Sequence, residues 1–195
     1  MSIAGATSDV AMAEGVSAMA QRRLVTGKRD GKSVVLSDGP VPTEHRYEAV
    51  PGMSSAIVWT TAANPAVDVD EAAPVGTPAH PGPGHTVLLM VEFPPDSVMM
   101  QPGFDGAAAG GEQVRHLPGL AERFEIDNPG MHTTDSVDYG IVVHGKIWLE
   151  LEEGEPTLLE AGDVVVQQRT RHAWRNRGSE NARMAFVLIG TDRDH

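Results

Sequence analysis

An all-β, antiparallel barrel is the fold the sequence predicts, on three observations. Residues 139–190 hold a series of short runs rich in β-branched or bulky apolar residues: YGIVV (139–143), KIWLEL (146–151), PTLLE (156–160), DVVVQ (163–167) and ARMAFVLIG (182–190). The turns between them, His144-Gly145, EEGE at 152–155 and AGD at 161–163, each supply a glycine where the backbone can take positive φ. No connection leaves room for a crossover helix, so the strands cannot be parallel.

Taken in order, the chain reads as a short tail followed by one domain. Residues 1–21 form a tail of small residues, interrupted by Asp9 and Glu14 and lacking a basic start, and so do not read as a signal peptide. Residues 22–195 form the domain. Its first part, 22–93, is a strand extension with the first barrel strands: RRLVTG, SVVLSDG, RYEAV and SAIVWTT (55–61) read as strands, and Asp30-Gly31 is a hairpin signal. Residues 62–85 hold five prolines and three acids without periodicity and read as a long loop of lid or binding type. TVLLMVEF (86–93) is apolar on both faces and reads as a central strand. Residues 94–129 are an insertion, helical near 108–124, with Pro118 ending the helix AAAGGEQVRHL, and 130–190 are the barrel core.

Composition narrows the function classes. The 195 residues are 41% hydrophobic and 22% charged, enough for one globular core. A formal net charge of −12 argues against nucleic acid or an anionic membrane as partner, because both need basic patches. There is no cysteine, hence no disulfide framework or thiolate chemistry, and no apolar run of about 18 residues to span a membrane. A cytoplasmic protein acting on a small molecule is the expectation.

Residues 130–176 carry the chemistry. His132 precedes the first core strand, Asp138 opens it, and His172 begins HAWRN after the DVVVQ run. Period-2 geometry puts 132, 134 and 138 on one face and 172, 174 and 176 on another. If both faces line one barrel, two imidazoles and a carboxylate converge, a ligand set that leaves positions open on Fe(II) and related ions. Trp174 would wall the pocket, and Asn176 would orient a ligand or close a turn. Arg169, Arg171, Arg175 and Arg177 fall on the opposite face, as a solvated or interface surface. His144, about 20 Å along the strand from Asp138, is not expected to be a ligand. In the insertion, His116 and Arg115 are expected as general base and anion anchor if they point into the barrel mouth.

These residues resemble the two-motif core of the cupin superfamily, whose motifs read G-x5-H-x-H-x3,4-E-x6-G and G-x5-P-x-G-x2-H-x3-N. His132 matches the first histidine, Asp138 stands at the glutamate, and Gly145 closes the first motif. Gly162 opens the second, His172 matches its histidine and Asn176 its asparagine. Thr134 replaces the second histidine, Gly130 precedes His132 by one residue only, and Gln167-Gln168-Arg169 stands where Pro-x-Gly is expected.

The resemblance, covering roughly the last third to 40% of the chain, implies a cupin-like jelly-roll barrel and a divalent ion held by His132, Asp138 and His172. Fe2+ is the leading ion, with Zn2+, Mn2+ or Ni2+ as alternatives, and Thr134, Trp174 and Asn176 would contact substrate. The expected function is a metal-dependent enzyme on a small oxygen-bearing organic molecule, foremost an oxygen-using, dioxygenase-like oxidoreductase. The alternatives are a non-redox lyase, decarboxylase, isomerase or cyclase, and a non-catalytic small-molecule-binding cupin. The doubly apolar last strand suits a buried sheet position or the interface of a homodimer.

Overall fold

The computed structural model describes residues 20–192, so the tail expected over 1–21 lies outside the described residues apart from its last two. Eleven strands and one helix are found there: β1 Arg22–Arg29, β2 Lys32–Pro40, β3 His45–Arg46, β4 Ser54–Thr61, β5 Thr86–Phe93, α1 Gly106–His116, β6 Ser136–His144, β7 Lys146–Leu151, β8 Thr157–Glu160, β9 Val164–Gln168, β10 His172–Arg175 and β11 Ala182–Gly190. The ladders between these strands are all antiparallel. RYEAV is the exception among the expected strands: only His45 and Arg46 pair, and the chain then turns through 47–53.

Two sheets make the barrel. A six-stranded sheet runs β3-β4-β5-β11-β6-β9, and a three-stranded sheet runs β10-β7-β8. As their apolar runs predict, β5 and β11 are interior strands of the larger sheet. Between the sheets lie Ile57, Leu89, Val142, Ile147, Met184 and Phe186, all buried in one cluster. Burying a side chain of this size contributes about 1.5–3 kcal/mol. Alternation along β11 is strict, with every second residue from Ala182 to Gly190 buried, which places one of its apolar faces in this core.

Turn chemistry sets the register. Asp30 and Gly31 both adopt positive φ, as a two-residue hairpin turn demands, and β1 and β2 form a separate two-stranded ribbon. Gly145, at φ 75°, joins β6 to β7 where a Cβ would meet the Asn181 carbonyl oxygen at 2.7 Å. Arg169 also sits in the left-handed region, at φ 58°, in place of the glycine of the cupin pattern. The loop over 62–85 is fastened to the body: Ala73 and Ala79 are fully buried, and Glu71 pairs with Arg23 at 2.6 Å.

The insertion forms α1 as expected. Asp105 caps it by accepting from the Ala108 N–H at 2.9 Å, and Arg115 and His116 occupy its last turn, where the helix dipole favours positive charge. A short 3-10 turn at Ala121–Arg123 follows.

Candidate functional site

The two predicted histidine ligands meet inside the barrel. His132 and His172 exchange a pair of backbone hydrogen bonds of 2.9 Å each, an isolated bridge beside β10. Their rings lie 4.4 Å apart between centroids, tilted by 47°. Both are buried, 7% and 3% exposed. Each Nδ1 faces a carbonyl two residues back, Gly130 at 3.0 Å and Thr170 at 2.9 Å. A carbonyl only accepts, so each Nδ1 carries the hydrogen and each Nε2 keeps its lone pair for a base or ligand role.

Their environment keeps them neutral. Burial, followed by the neighbouring His172, pulls His132 down to about 4, against a weaker opposing pull from the Gly130 carbonyl. Burial also lowers His172, opposed by its bond to Thr170.

Aromatic rings wall the pair. Phe124 meets His132 edge-on at 4.9 Å, and Trp174 meets His172 edge-on at 5.7 Å and continues to Phe186 at 5.5 Å. The segment carrying Phe124 is tied to β10 by the arginines expected on its opposite face. Arg171 grips Glu125 through two 2.6 Å contacts, and Arg175 reaches the Pro129 carbonyl and Asn128 as well as Glu150. These arginines therefore anchor a strap rather than form a free solvated face.

Asp138 enters from β6. It is 5% exposed, and its Oδ2 accepts from the Thr134 hydroxyl at 3.2 Å. Burial pushes this carboxyl up, against the nearby Ser136 and Thr134 hydroxyls; the Ser136 hydroxyl is close enough to act electrostatically but makes no well-formed hydrogen bond. Thr134, at the missing histidine's place, thus turns to Asp138.

Two imidazoles with unshared Nε2 lone pairs suit a metal ion in donor type. Among the described residues, however, no group of three or more His, Cys, Asp or Glu side chains is arranged to hold one. The residues thus fit a metal ion in part only: the histidines converge, and the carboxylate is bonded to Thr134 instead of completing a triad.

The remaining predicted residues fall elsewhere. Asn176 is fully engaged in closing a turn: its Nδ2 donates to the Phe93 and Glu180 carbonyls, its Oδ1 accepts from Gly178, and its backbone N–H reaches Asp96. Arg115 is exposed on α1. His116 stacks on His45 at 3.3 Å, nearly parallel, rather than on the barrel pair. His80 receives the Asp135 N–H at 3.1 Å. The residues missed by sequence reasoning are Phe124, Ser136 and Gln167. Ser136 shares the parity of 132, 134 and 138, a signal that was there to use; Gln167 lay hidden in a run of valines whose outward members are the apolar ones.

The cupin domain family model matches residues 125–189, the stretch holding both histidines and Asp138. Residues 125–189 are a cupin domain. Outside that match lie the β1–β2 ribbon, β3 to β5 and α1. Three similar proteins come from fungi. "Phomopsin biosynthesis cluster protein C'" of Diaporthe leptostromiformis is 50% identical over 79 residues, which span 37% of this chain and 42% of that protein. "Oryzines biosynthesis cluster protein J" of Aspergillus oryzae is 37% identical over 86 residues, spanning 39% and 48%. "Cupin-domain-containing oxidoreductase virC" of Hypocrea virens is 42% identical over 62 residues, spanning 30% and 32%. The aligned stretch covers less than half the length of each of these relatives. Among the described residues, no helix of the cupin-bearing chain is long and apolar enough to cross a membrane.

Proposed function

We propose that the cupin domain is the site of an oxidoreductase that acts on a small oxygen-bearing organic molecule within the barrel. The observation that carries this reading is the His132–His172 pair: buried, neutral, with both Nε2 lone pairs unshared inside an aromatic wall. The name of the Hypocrea virens relative supports the redox class. His132 and His172 hold the substrate's reacting atoms and accept or return protons at Nε2, while Phe124 and Trp174 exclude water.

The oxygen-using form of the reading takes O2 as electron acceptor together with a divalent ion, Fe2+ before Zn2+, Mn2+ or Ni2+. Elemental analysis of protein purified without added metal, paired with oxygen uptake on catechols, diketones and hydroxy acids, tests it. Uptake that disappears in His172→Ala supports it; undiminished turnover under strict anaerobiosis overturns it. That second outcome favours a proton-transfer isomerase or lyase, for which the neutral imidazoles and the carboxyl raised by burial are suited.

A homodimer belongs to the same proposal. Tyr139 and Val143 of β6 and Val164 and Val166 of β9 are exposed on one outward face, an apolar strip that a second copy would cover. Sedimentation velocity of the parent and of Val164→Lys decides it.

A further inference from the structure

Beyond the histidine pair, the barrel interior holds polar groups that nothing in the protein satisfies. Four buried side-chain atoms among the described residues lack a hydrogen-bond partner, and three of them belong to Ser136 Oγ, Asp138 Oδ1 and Gln167 Nε2. The fourth, Thr191 Oγ1, follows Gly190, the strand partner of Ser136. Asp138 and Gln167 face each other directly across the β6–β9 ladder, and Ser136 lies two residues before Asp138 on the same face. The three residues are 0%, 5% and 4% exposed, in that order along the chain.

The other half of each bidentate group is already held. Thr134 donates to Asp138 Oδ2, and Thr170 donates to Gln167 Oε1 at 2.6 Å. With the Thr170 hydroxyl donating to the amide oxygen, the NH2 is the end of the amide left without a partner. A free donor thus sits opposite a free acceptor, on neighbouring strands whose paired side chains are on the order of 5 Å apart, with a hydroxyl beside them. Buried polar groups are rarely left unpaired without a purpose, since each carries a desolvation cost that a complementary ligand recovers.

We propose that Ser136, Asp138 and Gln167 form a recognition subsite for a neutral lactam edge, whose carbonyl accepts from Gln167 Nε2 and whose N–H donates to Asp138 Oδ1. Ser136 Oγ completes the contact to the carbonyl. The proposal rests on the reading that a small molecule occupies the barrel, and it names the chemical class of that molecule. Thr134, which donates to Asp138 at the edge of this subsite, lies two residues after His132 in the chain.

Calorimetric titration of the full chain with 3,4-dihydroquinolin-2-one and with its N-methyl analogue tests the subsite. The parent is expected to bind the N–H lactam at least tenfold more tightly than the N-methyl compound. Gln167→Met and Ser136→Ala are expected to weaken lactam binding about tenfold; Ser136→Ala, which removes only an unpartnered buried hydroxyl, should melt at or above the parent's temperature, while Gln167→Met also loses the bond from Thr170. Equal affinity for the two compounds, no binding of either, or a lower melting temperature with unchanged affinity would each overturn the proposal. Binding is read without turnover, so the two ideas fail separately. Lactam discrimination with no oxygen uptake leaves the subsite standing and removes the oxidoreductase; oxygen uptake on other substrates without lactam binding does the reverse.

Discussion

The molecule contains two close pairs of histidines, and they are built in opposite ways. His132 and His172 are buried and tilted, with both Nδ1 atoms tied to backbone carbonyls and both Nε2 atoms unshared. His45 and His116 stack face to face at 3.3 Å where α1 packs against the chain around β3, and His45 spends its Nε2 on Glu112 at 2.7 Å. Glu112 in turn accepts the N–H groups of Glu48 and Ala49, fastening the helix to the chain before β4. Proximity of two imidazoles therefore says little about function. What separates the two pairs is that His45 has spent its Nε2 on a carboxylate, while both Nε2 atoms of the barrel pair are unshared.

Substitution should split the pairs most widely in turnover. His172→Ala or His132→Ala should lower substrate-dependent oxygen uptake by at least about a hundredfold, the usual scale for a lost acid–base group. His45→Ala should leave uptake within about twofold; a comparable loss there would erase the distinction drawn between the pairs.

Stability should divide them the other way. Glu112→Gln turns an NH2 toward a backbone N–H that now has a carboxylate oxygen, and should cost about 2–3 kcal/mol in a urea titration. Asp138→Asn, at the barrel site, removes a buried carboxyl pushed up by desolvation and should be neutral or stabilising at pH 7.

The pH dependence of folding, measured on chelator-treated protein, should resolve His132 and Glu112 into separate windows. His132 is lowered to about 4, so the unfolded chain binds its proton first. Its stabilising share is complete above about 6.5 and is lost as pH falls toward 4, by at most about 3 kcal/mol. Glu112 behaves as a depressed carboxylate. Burial pushes it up, but the Glu48 and Ala49 N–H groups and His45 together bring it down to about 2, and its share is lost between about 4.5 and 2. His132→Ala should reduce the upper window, to which the lowered His172 and His116 also contribute, and leave the lower one; Glu112→Gln should remove the lower and leave the upper. The smallest effect is that of His116→Ala, which removes one stacked ring and should cost about 0.5–1 kcal/mol by thermal unfolding, with turnover intact.

Most of the barrel was legible in the residues. Alternation, glycine turns and the absence of crossover lengths identify antiparallel strands, and the doubly apolar runs at 86–93 and 182–190 correctly mark interior strands. RYEAV failed as a strand because Tyr47 and Val50 pack against α1 instead of extending a ladder. The histidine pairing was legible too, since parity and motif spacing point 132 and 172 inward. The site's limits were not. His116 at the end of a helix and Asn176 in a turn look as available in sequence as any ligand, and only tertiary contacts show that each is engaged elsewhere.

By itself, the sequence determined the periodicities, the turns and the faces on which His132, Thr134, Asp138 and His172 lie, because these depend on local backbone geometry. Tertiary structure alone decided which polar atoms find partners. Thr134 turns to Asp138, Glu112 takes His45, and Ser136 and Gln167 are left open to the barrel interior. The physical reason is that hydrogen-bond satisfaction is a property of distances between strands and helices far apart in the chain, and no spacing along one strand encodes it.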